Sequence, residues 1–406
     1  MSQMNRIFSG GLFLVSVLVF FVATGSHSVE AKTPTYTISP STKPIDKTFS
    51  TYSTYNSYTK NYYTLRSYLE KLEKTKGGKL ILKKGTYTIT NVLYVPSNVT
   101  IQFSDGVKIV KGTNTHTSKV KASTSIFQLI RPSRAYKKGV YGKFEGEKNI
   151  RFIGKGNVTM DLKYMSGSIA IIMGHNQNVV VDNIHFTNMY GGHFIELDAS
   201  KNVTIKNSSF KKSKQIVGHD KEAINLDTPD HSTKGWSQAW SKFDRQANDT
   251  VLIENNTFSG LDRAVGTHKY SHKKLHNKVT LRHNKISGMR SDAIRVMNWS
   301  NAKIENNTIS LSATAKTNTS MRGILVSGAK NPTFQNNTFR NIPRPMQFIV
   351  WKNSGAGTTI EINNTLSAVN KKALANNRVY NASENFIRIT NNGYGNYSNG
   401  EFVYFK

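Results

Sequence analysis

Apolar residues in this chain recur at the end of a short phrase that opens with asparagine. The phrase reads Asn183-Ile184-His185-Phe186, Lys206-Asn207-Ser208-Ser209-Phe210 and Glu254-Asn255-Asn256-Thr257-Phe258. It returns as Arg282-His283-Asn284-Lys285-Ile286, Glu305-Asn306-Asn307-Thr308-Ile309, Gln335-Asn336-Asn337-Thr338-Phe339 and Ile362-Asn363-Asn364-Thr365-Leu366. The closing apolar residues lie 24, 48, 28, 23, 30 and 27 positions apart, the 48 counting as two turns of which one carries an insertion. A period of about 20–30 residues built from short strands predicts an all-β solenoid in which each turn buries its apolar side against the next.

The regions around the repeats read differently. Arg6, the apolar stretch Ile7 to Ala23 and the small residues of Val29-Glu30-Ala31 predict a secretory signal peptide over residues 1–31, with an uncleaved membrane anchor as the rival. Residues 32–60 are rich in Thr, Ser, Tyr and Pro without a sustained period, which predicts a linker or extended lead-in. Residues 61–406 form one solenoid domain. Its first element is a helix over 64–74 with Leu65, Tyr68, Leu69 and Leu72 on one face, Thr64 as N-cap and Gly77-Gly78 as the stop. That helix is expected to cover the open first turn. Segment 112–147 reads as an irregular basic excursion, and 228–249 (with Trp236 and Trp240) and 311–320 as insertions of the kind that wall a groove.

A second strand follows each phrase: 193–198, 222–227, 263–268, 292–297 and 322–327. Period-two alternation sends the third and fifth residues of each into the core. The first, fourth and sixth are then expected to face water, which gathers His193, Glu196, Asp198, Glu222, Asn225, Asp227, Arg263, Gly266, His268, Asp292, Arg295 and Arg322 over a few turns. The later strand 346–350 is almost uncharged, so the polar groups concentrate in the middle of the solenoid. A solvated face held by cross-strand ion pairs is the bland reading. Acidic residues stacked on acidic ones repel, however, and Gly266 inside a strand suggests close approach of a ligand.

Two chemistries suit these residues. Glycoside hydrolysis needs a carboxyl pair, drawn from Asp227, Asp198, Glu222 and Asp292, with His268 and Arg295 to share a proton or hold an anionic sugar substituent. Eliminative cleavage of a uronic acid polymer would take its base or neutraliser from Arg295, Arg263 or His268, with Ca²⁺ held by Glu196, Asp198 and Asp227. Substrate contacts fall to His193, Asn225, Arg263 and Arg322, and sugar stacking to Trp236 and Trp240. No single residue separates hydrolase from lyase.

Charge narrows the partner. Lys and Arg number 55 against 24 Asp and Glu, a net charge of +31, which attracts acidic polysaccharide and other polyanions, some of it non-specifically. No nucleic-acid recognition element accompanies the charge. With no cysteine, disulfides and cysteine metal sites are excluded. The Asn-x-Thr/Ser triplets fall inside the repeat and read as turn and ladder residues. A monomer is expected, released or held electrostatically at a cell wall.

From Gly77-Gly78-Lys79-Leu80-Ile81-Leu82 onward the chain resembles the pectate-lyase-like superfamily of right-handed, single-stranded parallel β-helices. That resemblance implies a secreted lyase or glycoside hydrolase. Gly191-Gly192-His193-Phe194-Ile195-Glu196-Leu197, Asn202-Val203-Thr204-Ile205 and Glu222-Ala223-Ile224-Asn225-Leu226-Asp227 are similar to streptococcal β-helix surface proteins that bind plasminogen and fibronectin, which implies a catalytically silent adhesin with host matrix partners. Asn225-Leu226-Asp227, Gly266-Thr267-His268 and Arg295-Val296-Met297 resemble polygalacturonase motifs, with methionine where those enzymes carry a substrate-binding lysine.

Overall fold

Each asparagine phrase makes one corner of the solenoid. The computed structural model describes residues 33–350, 363–390 and 400–405, so the predicted signal peptide lies outside the described residues. The first residue of the corner takes a left-handed conformation: Asn207 (φ 52°), Asn255 (55°), His283 (54°), Asn306 (57°) and Asn336 (56°). Asparagine tolerates this backbone better than most side chains. The second asparagine turns inward. The N–H of Asn256 donates to Asn284 Oδ1 (3.0 Å), that of Asn284 to Asn307 Oδ1 (3.0 Å), that of Asn307 to Asn337 Oδ1 (3.1 Å) and that of Asn337 to Asn377 Oδ1 (3.0 Å). This buried ladder satisfies the backbone where the chain changes direction. The next residue faces outward and the apolar one enters the core, where Phe186, Phe210 and Phe258 stack at 4.9 Å between ring centroids.

Three strands per turn build three sheets, of 11, 11 and 10 strands among the described residues. Sheet A runs from Thr35–Ile38 to Thr333–Gln335, sheet B from Gly85–Ile89 to Arg378–Tyr380, and sheet C from Leu93–Tyr94 to Phe386–Ile389. Strand Glu401–Tyr404 closes sheet C by pairing antiparallel with Phe386–Ile389. Every other strand pairing among the described residues is parallel, as the sequence reading requires. Ile171, Ile195, Ile224, Val265, Ile294 and Ile324 lie in register on sheet C and are fully buried, so each turn seals the one beneath it.

The first turn is covered more thoroughly than expected. The capping helix spans Lys60–Lys74 with Thr59 as N-cap, so it begins before Thr64. Asn61, Tyr62 and Tyr63 are buried in its first turn, a face that a count of aliphatic residues passes over. Thr64 is an interior residue whose hydroxyl donates to the Thr42 carbonyl (3.0 Å). Residues 33–59 are part of the fold rather than a linker. Thr35–Ile38 is the outermost strand of sheet A, paired with Gly78–Leu82, and Phe49 of the turn Lys47–Thr51 is buried. An unpaired edge over an apolar core needs such cover.

The excursion 112–147 supplies strand Ser125–Gln128 to sheet C. It is pinned by Arg131, whose Nε lies 2.6 Å from Oε1 of the buried Glu147. Insertion 228–249 folds down on this segment, and Trp236 and Trp240 pack with Ile130, Tyr141 and Ile172 in a second apolar cluster. Gly174 makes the contact possible, since a Cβ there would sit 2.7 Å from both indoles. Insertion 311–320 carries a short helix, Ala313–Thr317, capped by Ser312.

Candidate functional site

Strands Ile195–Asp198 and Glu222–Asp227 of sheet C pair so that Glu196 lies beside Asn225 and Asp198 beside Asp227. Ile195, Leu197, Ile224 and Leu226 take the core side, and the polar residues the outer side, as alternation demands. The outer side does not face open water. Asp198 and Glu222 have no accessible surface, Asp227 keeps 3% and Glu196 7%. Strand alternation fixes which way a side chain points; the covering insertion decides what it meets.

Between the insertion and the corner formed by Gly167, Gly191 and Gly192 a cleft of about 280 Å³ remains. Gly192 allows successive turns to close up here, because a Cβ would lie 2.1 Å from the Ser168 carbonyl oxygen. His193, Glu196, Asn225, Asp227, His268 and Trp236 line the cleft, all of them anticipated. Lys221, Lys234, Lys269 and Gln238 line it as well and were not anticipated. A usable signal existed for two of these: Lys221 adjoins Glu222 and Lys269 adjoins His268, both already candidates.

The carboxyl groups divide into two environments. Asp227 Oδ1 accepts the backbone N–H groups of His268 (2.8 Å) and Lys269 (2.6 Å), which fixes its orientation. Burial raises its pKa to about 7, the Glu222 charge adding to the rise and the two N–H groups opposing it. Burial also pushes Glu196 and Asp198 well above the ordinary carboxyl range, each raised further by the charge of the neighbouring acids, and both Asp198 oxygens are buried without a hydrogen-bond partner. Asn225 Nδ2 donates to Glu196 Oε1 (3.0 Å) and ties this pair to the Asp227 strand.

Glu222 is the opposite case. Burial would raise its pKa, but Arg263, His268, His193 and Arg295 together bring it down to about 2. Arg263 Nη1 lies 3.5 Å from Glu222 and Nη2 3.0 Å from Asp220, so the guanidinium is committed to structure rather than open to substrate. His268 Nδ1 stands 3.8 Å from Glu222 and His193 Nε2 3.6 Å from Glu196. Burial lowers both imidazoles, His268 to about 3, so they are neutral at physiological pH.

The remaining candidates fall elsewhere. Arg295 is buried, and its guanidinium is lowered to about 10 by burial and by Arg263. Gly266 leaves room for protein rather than for a ligand: a Cβ there would meet Arg295 Cβ at 2.8 Å and Glu222 Cγ at 3.2 Å. Asp292 and Arg322 bind each other at 2.9 and 3.1 Å and do not line the cleft. Trp240 is buried under the insertion, where no sugar can stack on it. The Ca²⁺ expectation also changes. Among the described residues no group of three or more His, Asp or Glu side chains is arranged to hold a metal ion. Glu196 is held by the Asn225 amide and Asp227 by two backbone N–H groups, so these carboxyl groups are anchored separately rather than gathered as a cation cradle.

Comparison with known proteins bears on the fold. The family described as the right handed beta helix region matches residues 243–403. The plasmin and fibronectin-binding protein A of Streptococcus pneumoniae is 25% identical over 217 residues, 47% of this chain and 28% of that protein. The chain therefore spans less than a third of that relative's length. A solved structure of this pneumococcal surface protein and adhesin superposes with a TM-score of 0.63 at 17% identity, covering 88% of this chain and 89% of that one. The fold is the right-handed parallel β-helix. A second crystal structure of the adhesin gives a TM-score of 0.60, again at 17% identity, over 81% of this chain and 80% of the other.

Proposed function

We propose that the cleft binds an extracellular anionic polysaccharide and cleaves it by acid–base chemistry, with Asp227 as the proton donor. One observation carries the reading: Asp227 lines an open cleft, is held by two backbone N–H groups, and has a pKa of about 7 beside other carboxyls. Titratable neighbours whose environments drive their pKa values apart are how one site supplies both acid and base. Asp227 protonates the glycosidic oxygen as its bond to the anomeric carbon breaks. Glu196, tied to the Asp227 strand through the Asn225 amide, is the second cleft-lining carboxyl. Once it has released its own proton to solvent, the Glu196 carboxylate either takes the proton of an attacking water or attacks the anomeric carbon itself. Lys221, Lys234 and Lys269 offer ammonium groups to the carboxylates of the polymer. Asn225 and Trp236 contact neutral parts of the sugar.

Hydrolysis is favoured over elimination because the cleft presents carboxyl acids. Arg295, the best cationic candidate for a base, does not line it. Asp227→Asn keeps the shape of the side chain and removes the proton. It should abolish release of reducing ends from a panel of acidic and neutral polysaccharides while leaving binding and thermal unfolding nearly unchanged. Retained turnover would exclude Asp227, and unsaturated uronate absorbance would turn the assignment to a lyase.

A second reading, a catalytically silent adhesin, draws support from the similarity to plasmin and fibronectin-binding protein A. It implies binding to plasmin or fibronectin that Asp227→Asn leaves untouched, together with silence across the polysaccharide panel. Both readings imply secretion. No helix among the described residues is long and apolar enough to cross a membrane.

A further inference from the structure

We propose that the outer face of sheet B is a docking surface for an extended acidic polysaccharide lying along the solenoid axis. Two outer faces of the solenoid arrange their charges differently. On sheet A the charges alternate in register: Asp182, Lys206, Glu254, Arg282 and Glu305 follow one another strand by strand. They neutralise each other, with Lys206 3.8 Å from Asp182 and Arg282 2.7 Å from Glu254. That row is self-paired, while Lys148, Arg151, Lys278 and Lys303 of the same sheet are exposed cations lying beside it.

Sheet B has no such arrangement. Its strands present Lys108, Lys211, Lys285, Arg340 and Arg378, all exposed, and none of them is in an ion pair among the described residues. The acid on the same face is Asp161, whose Oδ1 already accepts the Lys163 N–H (2.7 Å) and the Asn188 amide (2.8 Å). Between the cations the outward positions carry hydroxyls, including Thr257, Ser259, Thr308, Ser310 and Thr338. Arg340 lies over the exposed ring of Tyr380 at 4.4 Å, an aromatic platform at the far end.

Spacing selects the partner. The cations stand on the second, fifth, seventh, ninth and tenth strands of the sheet. At about 4.8 Å per strand they span roughly 40 Å of solenoid axis. A small anion would use one of them; an extended chain with repeated carboxylates uses all. The hydroxyl rows suit the hydroxyls of a sugar polymer and have no counterpart need in a partner that offers only charge. Sheet B is a different face of the solenoid from the sheet C cleft, so this proposal stands or falls independently of cleavage.

The test compares two triple variants of equal charge change. Lys211→Glu, Lys285→Glu and Arg340→Glu alter sheet B; Lys148→Glu, Lys278→Glu and Lys303→Glu alter sheet A. Affinity electrophoresis against polymeric polygalacturonate, alginate and hyaluronan should show the sheet B triple weakened about tenfold or more and the sheet A triple near wild type. A trimer of galacturonate should bind weakly to all three proteins. Thermal unfolding checks that the variants fold, and the corresponding Gln triple repeats the comparison should the Glu form fail. Equal loss in both triples would reduce the effect to net charge. Equal loss of duplex DNA binding would remove the assignment to a sugar polymer. No loss in the sheet B triple, or no binding by the wild type to any of the three polymers, overturns the proposal.

Discussion

Asp227 belongs to two networks at once, and its titration should be visible without any substrate. Its pKa is about 7 in the folded protein against an ordinary 3.8, so between those values the folded state holds a proton that the unfolded chain has released. This contribution to stability is therefore complete below about pH 4 and is lost as pH rises through about 7. Urea midpoints taken from pH 4 to 8 should fall with rising pH in the wild type and less steeply in Asp227→Asn, where Glu196 and Asp198 still titrate; parallel curves would contradict the shift. Glu222 runs the other way. Held at about 2, it stabilises above its ordinary 4.5 and loses that effect as pH falls toward 2, a window that meets the first only near pH 4. At this scale the sequence was informative about identity and silent about surroundings. Alternation within strand 222–227 placed Asn225 and Asp227 on the outer face. Nothing in that strand told that Trp236, some ten residues later, would roof them, or that Arg263 would be consumed by Glu222 and Asp220. Such pairings depend on which turns the insertion spans, and that is a tertiary matter.

Among elements, the asparagine corner carries the most. Asn307 donates from Nδ2 to the Leu281 carbonyl (3.0 Å) and to Asn337 Oδ1 (2.9 Å), and its Oδ1 accepts the Asn284 N–H (3.0 Å). Asn307→Ala would leave buried backbone groups on two turns unpaired, a cost on the order of 2–4 kcal/mol. Thr308→Ala, one residue on and exposed, should fall within about 0.5 kcal/mol of wild type. Guanidinium denaturation distinguishes the two, and equal effects would mean that the ladder adds nothing beyond strand pairing. The corner was legible because its demands are local: a left-handed residue, an amide that reaches both neighbouring turns, an outward polar residue and an inward apolar one. The cap was less legible. Thr35–Ile38 is too short and too polar to announce itself as a strand, and it is a strand because Gly78–Leu82 offers it an edge. Tyr62 and Tyr63 bury aromatic faces at the start of the helix, where aliphatic periodicity alone starts the count at Leu65.

Within the solenoid, sheet A carries a row of opposite charges paired strand to strand, whereas the cations of sheet B have no acid in register with them on the adjacent strands. The net charge of +31 is uninformative about where a polymer would lie until the register of sheets A and B is known. Register turns the excess into a line of cations on sheet B, while the lysines around the sheet C cleft form a separate group. A polymer held along one face and cut in a cleft on another is a coherent arrangement for an enzyme acting on long chains, and binding alone would serve an adhesin. The decisive measurement is therefore catalytic. Wild-type protein and Asp227→Asn should be incubated side by side with the polysaccharide panel, following reducing ends and unsaturated uronate absorbance across pH 5 to 9. The account predicts reducing ends from the wild type on an acidic polymer, a rate that declines above about pH 7 as Asp227 loses its proton, and no release by the variant. Equal release by wild type and variant, or silence of the wild type on every polymer while plasmin or fibronectin binds, would contradict it.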